Sequence, residues 1–116
     1  MHYSMLIYQS PAEFSARTDP AKREAFWGAF LPYMKALQDA GVVVSGAGLE
    51  PPGSAATVRL GGEKRHVQDG PFADTKEQLG GFFILDVPDL DTALDWAARC
   101  PVGAAVEVRP NLPPRR

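Results

Sequence analysis

The chain has 116 residues, 45% of them hydrophobic, and a formal net charge of −2, which predicts one domain with one core. No apolar run approaches the roughly 18 residues of a membrane-spanning helix, and the slightly acidic balance argues against a general nucleic-acid binder. A single cysteine, Cys100, excludes an internal disulfide framework. Because the first residues also lack a basic and apolar leader, we predict a cytoplasmic protein.

The first part of the chain predicts a strand, a helix and a second strand. Residues 3–8 are aromatic and apolar and end at a Pro-containing polar segment, as strands do. Asp19-Pro20 predicts a helix start and Gly41 its end. One face of this helix carries Phe26, Phe30, Tyr33 and Leu37. Pro32 is expected to kink the helix or split it near Phe30, and residues 42–46 predict the second strand.

The second part of the chain predicts a hairpin, two more strands and a helix. Residues 56–60 and 64–68 flank a Gly-Gly turn, which is typical of a β-hairpin. After a polar loop at 69–79 come a strong apolar strand at 81–87, a helix at 90–99 capped by Asp89, and a last strand at 102–109. The domain is expected to span 1–110, followed by an extended, mobile tail at 111–116.

These elements predict an α+β fold. Without the inserted hairpin the order is βαββαβ, the ferredoxin-like arrangement in which both helices cover one face of an antiparallel sheet. The opposite face is also apolar, since Phe82 and Ile84 point away from Phe83 and Leu85. A second copy of the chain would cover that face, and we therefore predict a homodimer. The alternative is that the hairpin and the tail cover it within one chain.

The candidate site residues lie in and beside the polar loop. Asp69, in a turn sequence, is the candidate catalytic acid or base, and Thr75 and Lys76 follow it in the loop. Arg59 and His66 belong to the preceding hairpin, and Arg59 and Lys76 are suited to an anionic ligand. The alternative is an ordinary turn with solvated charges. No spacing predicts a metal site or a nucleotide cofactor, so we expect none.

The segment Asp69-Gly70-Pro71-Phe72-Ala73-Asp74-Thr75-Lys76-Glu77, followed by residues 78–83, resembles the signature of the DGPF domain of the YCII-related family. The resemblance covers about residues 2–110, including the first strand, the loop around Glu50 and the closing strand around Arg109. It implies a dimeric α+β barrel. It implies no assigned reaction, but it does imply a regulatory or stress context, because many such genes lie near alternative sigma factors.

One position departs from the enzyme-like branch of that family. That branch has the pattern His-Leu-x-Tyr-Leu-Lys on its first helix, with the His proposed to pair with an Asp, and here Phe30 occupies the position of the His. Two functions therefore stay open. The first is binding of a small polar or anionic molecule beside the 69–81 loop, with weak lyase- or isomerase-type acid–base chemistry. The second is a non-catalytic regulatory module that binds a protein partner.

Overall fold

The computed structural model describes residues 1–63 and 66–114, so Lys64 and Arg65 of the predicted hairpin and Arg115 and Arg116 of the predicted tail lie outside it. Its elements, in chain order, are β1 (His2–Gln9), α1 (Pro11–Ala16), α2 (Arg23–Asp39), β2 (Val43–Gly48), a short 3-10 helix (Pro52–Ser54), β3 (Ala56–Arg59), β4 (His66–Asp69), β5 (Gln78–Asp86), α3 (Leu90–Ala98) and β6 (Ala105–Pro110).

The main sheet has four antiparallel strands in the order β2-β5-β1-β6. With α2 and α3 this is the ferredoxin-like arrangement, and the predicted fold class is confirmed. The core lies between the helices and one sheet face, where Met5, Leu37 and Leu85 are fully buried. No described helix has both the length and the apolar character that crossing a bilayer requires.

The long helix differs from its prediction at its start, and it continues through its proline. It begins at Arg23, because the Asp19 carboxylate accepts a hydrogen bond from the Ala21 amide at 2.8 Å and closes a separate turn before it. Pro32 lies inside the helix, which is not split. A proline removes one backbone donor, but the helix packs on the core on both sides of it, through Phe30 before the proline and through Tyr33 and Leu37 after it.

Helix α1 was not predicted. Ser10 and Glu13 form a capping box, in which the Ser10 hydroxyl accepts from the Glu13 amide at 3.3 Å and the Glu13 carboxylate accepts from the Ser10 amide at 2.9 Å. Pro11 takes the first helical position, where its missing N–H costs nothing. The sequence analysis interpreted this proline only as the end of β1.

Strands β3 and β4 pair with each other and with no strand of the main sheet, and we call this pair the arm. Val58 and Val67 face each other on one side of it and are about half exposed, at 51% and 46%. Two-stranded hairpins are marginally stable by themselves. The arm therefore has an apolar face that the described part of the chain leaves uncovered.

Candidate active site

A cavity of about 400 Å³ lies between α2 and the edge of the main sheet formed by β2 and β5. Its volume falls within the range of small-molecule sites. The helix contributes Phe26, Trp27, Phe30, Met34 and Gln38. Most of these positions are four residues apart, so they lie on one face of the helix, beside the face that enters the core.

The helical side of the cavity is an aromatic wall. The Phe30 ring lies 6.1 Å from Trp27, 6.4 Å from Phe26 and 6.4 Å from Phe83 between centroids. Trp27 is also fixed from outside the helix, since its indole Nε1 donates to the carbonyl of Arg17 at 2.9 Å. Aromatic side chains offer flat apolar surface with few rotatable bonds. The wall is therefore suited to a flat ring.

The sheet side of the cavity is lined by glycines of β2 and β5. A Cβ at Gly46 would lie 2.8 Å from the Phe83 ring, and one at Gly80 would lie 2.4 Å from Gln9 Oε1. Gly80 also lies where the pairing of β5 with β1 shifts register, which turns its backbone toward Gln9. Side chains at these positions would therefore displace the groups around the cavity.

One end of the cavity is polar and is formed by Gln9 and Arg17. Gln9 is 4% exposed, the one buried polar residue of the described chain. The Arg17 guanidinium donates through Nη2 to Gln9 Oε1 at 2.6 Å and to the Gly80 carbonyl at 2.8 Å, and through Nη1 to the Leu49 carbonyl. Its Nε is buried and has no hydrogen-bond partner among the described residues.

Arg17 has no carboxylate partner, since none of the ion pairs formed by residues 1–63 and 66–114 includes it. Burial lowers the pKa of its guanidinium below the ordinary value, and the negative charge of Glu50 opposes this shift. Arginine stays protonated in proteins even so. The polar end of the cavity therefore holds a half-buried cation whose hydrogen-bond acceptors are all neutral oxygens and whose guanidinium lies 4.8 Å above the centre of the Phe14 ring.

The predicted site residues of the hairpin lie on the arm and are exposed. Arg59 and His66 stand directly opposite each other. The Arg59 guanidinium donates through Nε to Gln68 Oε1 at 3.2 Å and lies 5.0 Å above the centre of the Phe72 ring. Asp69 ends β4, opposite Ala56. None of these three predicted residues lines the cavity.

Thr75 and Lys76 are exposed in the loop between β4 and β5. The Thr75 hydroxyl donates to the Glu77 carbonyl at 2.7 Å, and Gln78 Nε2 donates to the carbonyls of Ala73 and Thr75 at 2.7 and 2.9 Å. These bonds hold the loop in shape. Lys76 lines a separate cleft beside Phe14 and Pro51. The structure thus keeps the five predicted residues apart from the cavity and brings only Arg59 and His66 together.

The residues that line the cavity were not predicted. Gln9 begins the polar segment that was expected to end the first strand, and Arg17 lies in a segment that carried no prediction. Their pairing depends on α1, whose signal in the sequence is the Ser10–Glu13 capping spacing.

The cavity can hold and polarise a ligand. Among its described lining residues Arg17 is the one ionisable group, and no carboxylate, imidazole, thiol or phenol lines it. No cluster of three or more His, Cys, Asp or Glu suited to a metal ion occurs within residues 1–63 and 66–114. The Cys100 thiol lies elsewhere, and burial raises its pKa. The chemistry available at the cavity is therefore electrostatic stabilisation of negative charge.

Comparison with known families decides the classification, because residues 1–112 match the model of the YCII-related domain. The chain belongs to this family. The family resemblance noted from the 69–83 segment is thereby confirmed. An uncharacterised protein of Rhizobium meliloti (strain 1021) is 45% identical over 76 residues, which are 62% of this chain and 61% of that protein. The match thus spans about three fifths of that relative.

Among solved structures, the YCII-related chain is similar to 5-chloro-2-hydroxyhydroquinone dehydrochlorinase from Burkholderia phenoliruptrix AC1100, in complex with 2,5-dihydroxybenzoquinone. The TM-score is 0.50 at 18% identity, and the alignment covers 94% of this chain and 91% of that chain. At this identity the likeness establishes the shared fold.

Proposed function

We propose that this YCII-related protein binds a small, flat organic molecule that carries an anionic oxygen, in the cavity between α2 and the sheet. Its ring packs against the aromatic wall around Phe30, and its oxygen lies at the polar end beside Arg17 and Gln9. The observation that carries the proposal is the half-buried Arg17 cation at the end of an apolar cavity, which finds no carboxylate partner and leaves its buried Nε unpaired among residues 1–63 and 66–114.

The physical argument rests on desolvation. A charge removed from water is costly unless an opposite charge or several hydrogen bonds compensate it. The carbonyl partners of Arg17 supply hydrogen bonds but no negative charge. An anionic ligand supplies that charge, and a guanidinium is suited to bind a planar carboxylate or a phenolate. The similar dehydrochlorinase structure contains 2,5-dihydroxybenzoquinone. This molecule is a flat ring of the chemical kind proposed here, so it is one of the probes.

The test is a calorimetric titration with benzoate, 4-hydroxybenzoate and 2,5-dihydroxybenzoquinone. We expect Arg17→Gln to weaken the binding of these anions by about tenfold or more, the size of one charge-assisted hydrogen bond. Arg59→Gln is the matched control, because it removes the same charge from the exposed arm. If Arg59→Gln weakens binding and Arg17→Gln does not, the site lies at the arm and the cavity proposal is wrong.

The predicted set of Asp69, Thr75, Lys76, Arg59 and His66 stays a separate proposal, a second polar site on the arm and loop with Asp69 as its acid or base. Its test uses Asp69→Ala and Lys76→Ala in a thermal-shift screen of small acids, lactones and phenols. Loss of a ligand-induced shift in both variants would support that site. A ligand-induced thermal shift that persists in both variants would contradict this second site.

We also propose that two copies of the chain pack sheet to sheet. On the helix-free face Leu6, Phe82 and Ile84 are only half-buried within one chain, and apolar faces of this kind are commonly covered by a partner. Light scattering should then give twice the chain mass of 12.5 kDa. Ile84→Arg should yield monomers, whereas Leu94→Arg, on the exposed side of α3, should not. A monomeric wild type would contradict the proposal.

A regulatory, protein-binding role is the second candidate function. The exposed apolar face of the arm around Val58 and Val67 favours it, because it is available to a partner. A wild type that binds none of the anionic probes, but captures a defined protein through an interface that Val58→Lys abolishes, would favour this role over ligand binding. Anion binding that depends on Arg17 would favour the first function.

A further inference from the structure

Glu13 is a half-buried carboxylate with two backbone partners in different parts of the fold. One oxygen, Oε1, accepts from the Ser10 amide at 2.9 Å, within the capping box of α1. The other oxygen, Oε2, accepts from the amide of Gly103, 90 residues further along the chain. Glu13 therefore joins the start of α1 to the segment that leads into β6.

Gly103 is itself firmly placed against β1. Its φ of +116° is in the region that favours glycine, and a Cβ there would lie 3.1 Å from Ile7 Cγ2 and 3.1 Å from the Tyr8 carbonyl. The next amide, of Ala104, donates to that same carbonyl at 2.8 Å. The Glu13 carboxylate is thus held at a fixed point beside the sheet.

Helix α1 needs this anchor. It has six residues, and helices this short are unstable without tertiary contacts. Arg17 follows Glu13 by four residues, so the two side chains lie on neighbouring turns of the same face. Arg17 caps the C-terminal end of α1 and reaches from there to Gln9 and Gly80. The position of the start of α1 therefore determines where the guanidinium lies.

We infer that Glu13 is the positioning residue of the anion site: its bridge from Ser10 to Gly103 fixes α1 so that Arg17 faces the cavity end. This inference rests on the proposed function. Both Glu13 oxygens accept from backbone N–H groups, so a carboxylate is required. The amide of a glutamine has one acceptor oxygen, and its NH₂ would face one of those two donors.

The experiment compares a neutral ligand, benzamide, with an anionic ligand of the same shape, benzoate, by calorimetric titration of the full chain. In the wild type benzoate should bind about tenfold more tightly than benzamide. Glu13→Gln should reduce that ratio to within about twofold of unity while changing benzamide affinity little. A general loss of structure would weaken both ligands equally and leave the ratio unchanged.

Ser10→Ala is the matched control, because it removes the capping hydroxyl of the same helix and leaves both Glu13 oxygens with their backbone donors. It should keep the preference for benzoate. If Ser10→Ala lowers the ratio as much as Glu13→Gln does, the bridge to Gly103 has no special role and the inference is wrong. Equal ratios in the wild type and Glu13→Gln would overturn it as well.

A second measurement uses the unaltered protein, in case Glu13→Gln does not fold. Benzoate orders Arg17 and, through α1, the Glu13 bridge, so saturating benzoate should slow hydrogen exchange at the Gly103 amide. Benzamide at equal occupancy should slow it less. Equal protection by both ligands would contradict the inference alone. Failure of benzoate to bind the wild type would instead overturn the proposed function, and the inference with it.

Discussion

Gly80 is the position where one methyl group should disturb the candidate site most directly. A Cβ built there lies 2.4 Å from Gln9 Oε1, 2.7 Å from Gln9 Cδ and 2.9 Å from Arg17 Nη2. Atoms do not approach this closely without moving. In Gly80→Ala the Gln9 amide and the Arg17 guanidinium must therefore both shift away from β5.

The size of the effect follows from these contacts. Overpacking of a tightly filled site costs about 1–3 kcal/mol, and replacing glycine by alanine returns about 0.4–1 kcal/mol through the unfolded chain. We expect a net loss of about 1–2 kcal/mol, which lowers Tm by roughly 4–8 °C in a domain of this size. The shift also lengthens the bonds from Arg17 to Gln9 and Gly80, now 2.6 and 2.8 Å, so benzoate affinity should fall by about tenfold.

The assay combines urea unfolding with calorimetric titration of benzoate. Gly48→Ala is the control, since Gly48 lines the same cavity but a Cβ there meets nothing within 4 Å. It should match the wild type in affinity and equal or slightly exceed it in stability. A Gly80→Ala protein with wild-type stability and undiminished benzoate affinity would refute the assigned packing of Gln9 and Arg17.

Three further outcomes follow from the core, a helix cap and the cysteine. Leu37→Ala, at a fully buried position, should cost about 2–5 kcal/mol in urea unfolding; a smaller loss would mean the core is loosely packed. Hydrogen bonds from the Thr92 side chain and backbone lower the pKa of the Asp89 carboxyl in the folded protein. The ionised carboxylate therefore stabilises the fold fully above the pKa that Asp89 has in the unfolded chain. This stabilisation is lost as the pH falls through the lower pKa that Asp89 has in the folded protein. Asp89→Asn should therefore flatten the decline of the urea midpoint below about pH 4, and an unchanged decline would contradict the cap. The Cys100 thiol, whose pKa burial raises, should react with iodoacetamide much more slowly in the native protein than in urea.

Local patterns in the sequence were sufficient to predict the frame of the fold. The apolar run around Phe83 formed the strand β5, which pairs with both β1 and β2 and is apolar on both of its faces. Asp89 caps α3 as predicted, with its carboxylate accepting from the Thr92 amide at 2.8 Å. Each of these signals involves residues close together in the chain, where propensity and capping chemistry determine the outcome.

The candidate site could not be predicted in the same way because it is assembled from distant positions. Arg17 meets Gln9 across eight residues and Gly80 across 63, and both meetings depend on the register shift in β5 and on α1. The conspicuous polar residues around Asp69 drew the prediction toward the loop, since composition alone does not show which polar groups are buried. The sequence did contain one signal for this site, the Ser10–Glu13 capping spacing that predicts the start of α1, and the sequence analysis overlooked it.

The position of Phe30 connects the cavity to its chemistry. The enzyme-like family pattern has a His there, and in this chain the Phe30 ring lines the cavity beside Trp27 and Phe83. The position thus lines the proposed binding cavity, and an imidazole there would offer a proton acceptor. Phenylalanine offers an apolar surface in its place. Since Arg17 is the one ionisable group among the described lining residues, the role we propose for the cavity is to bind and stabilise an anion, and its described lining contains no group suited to take a proton from that anion.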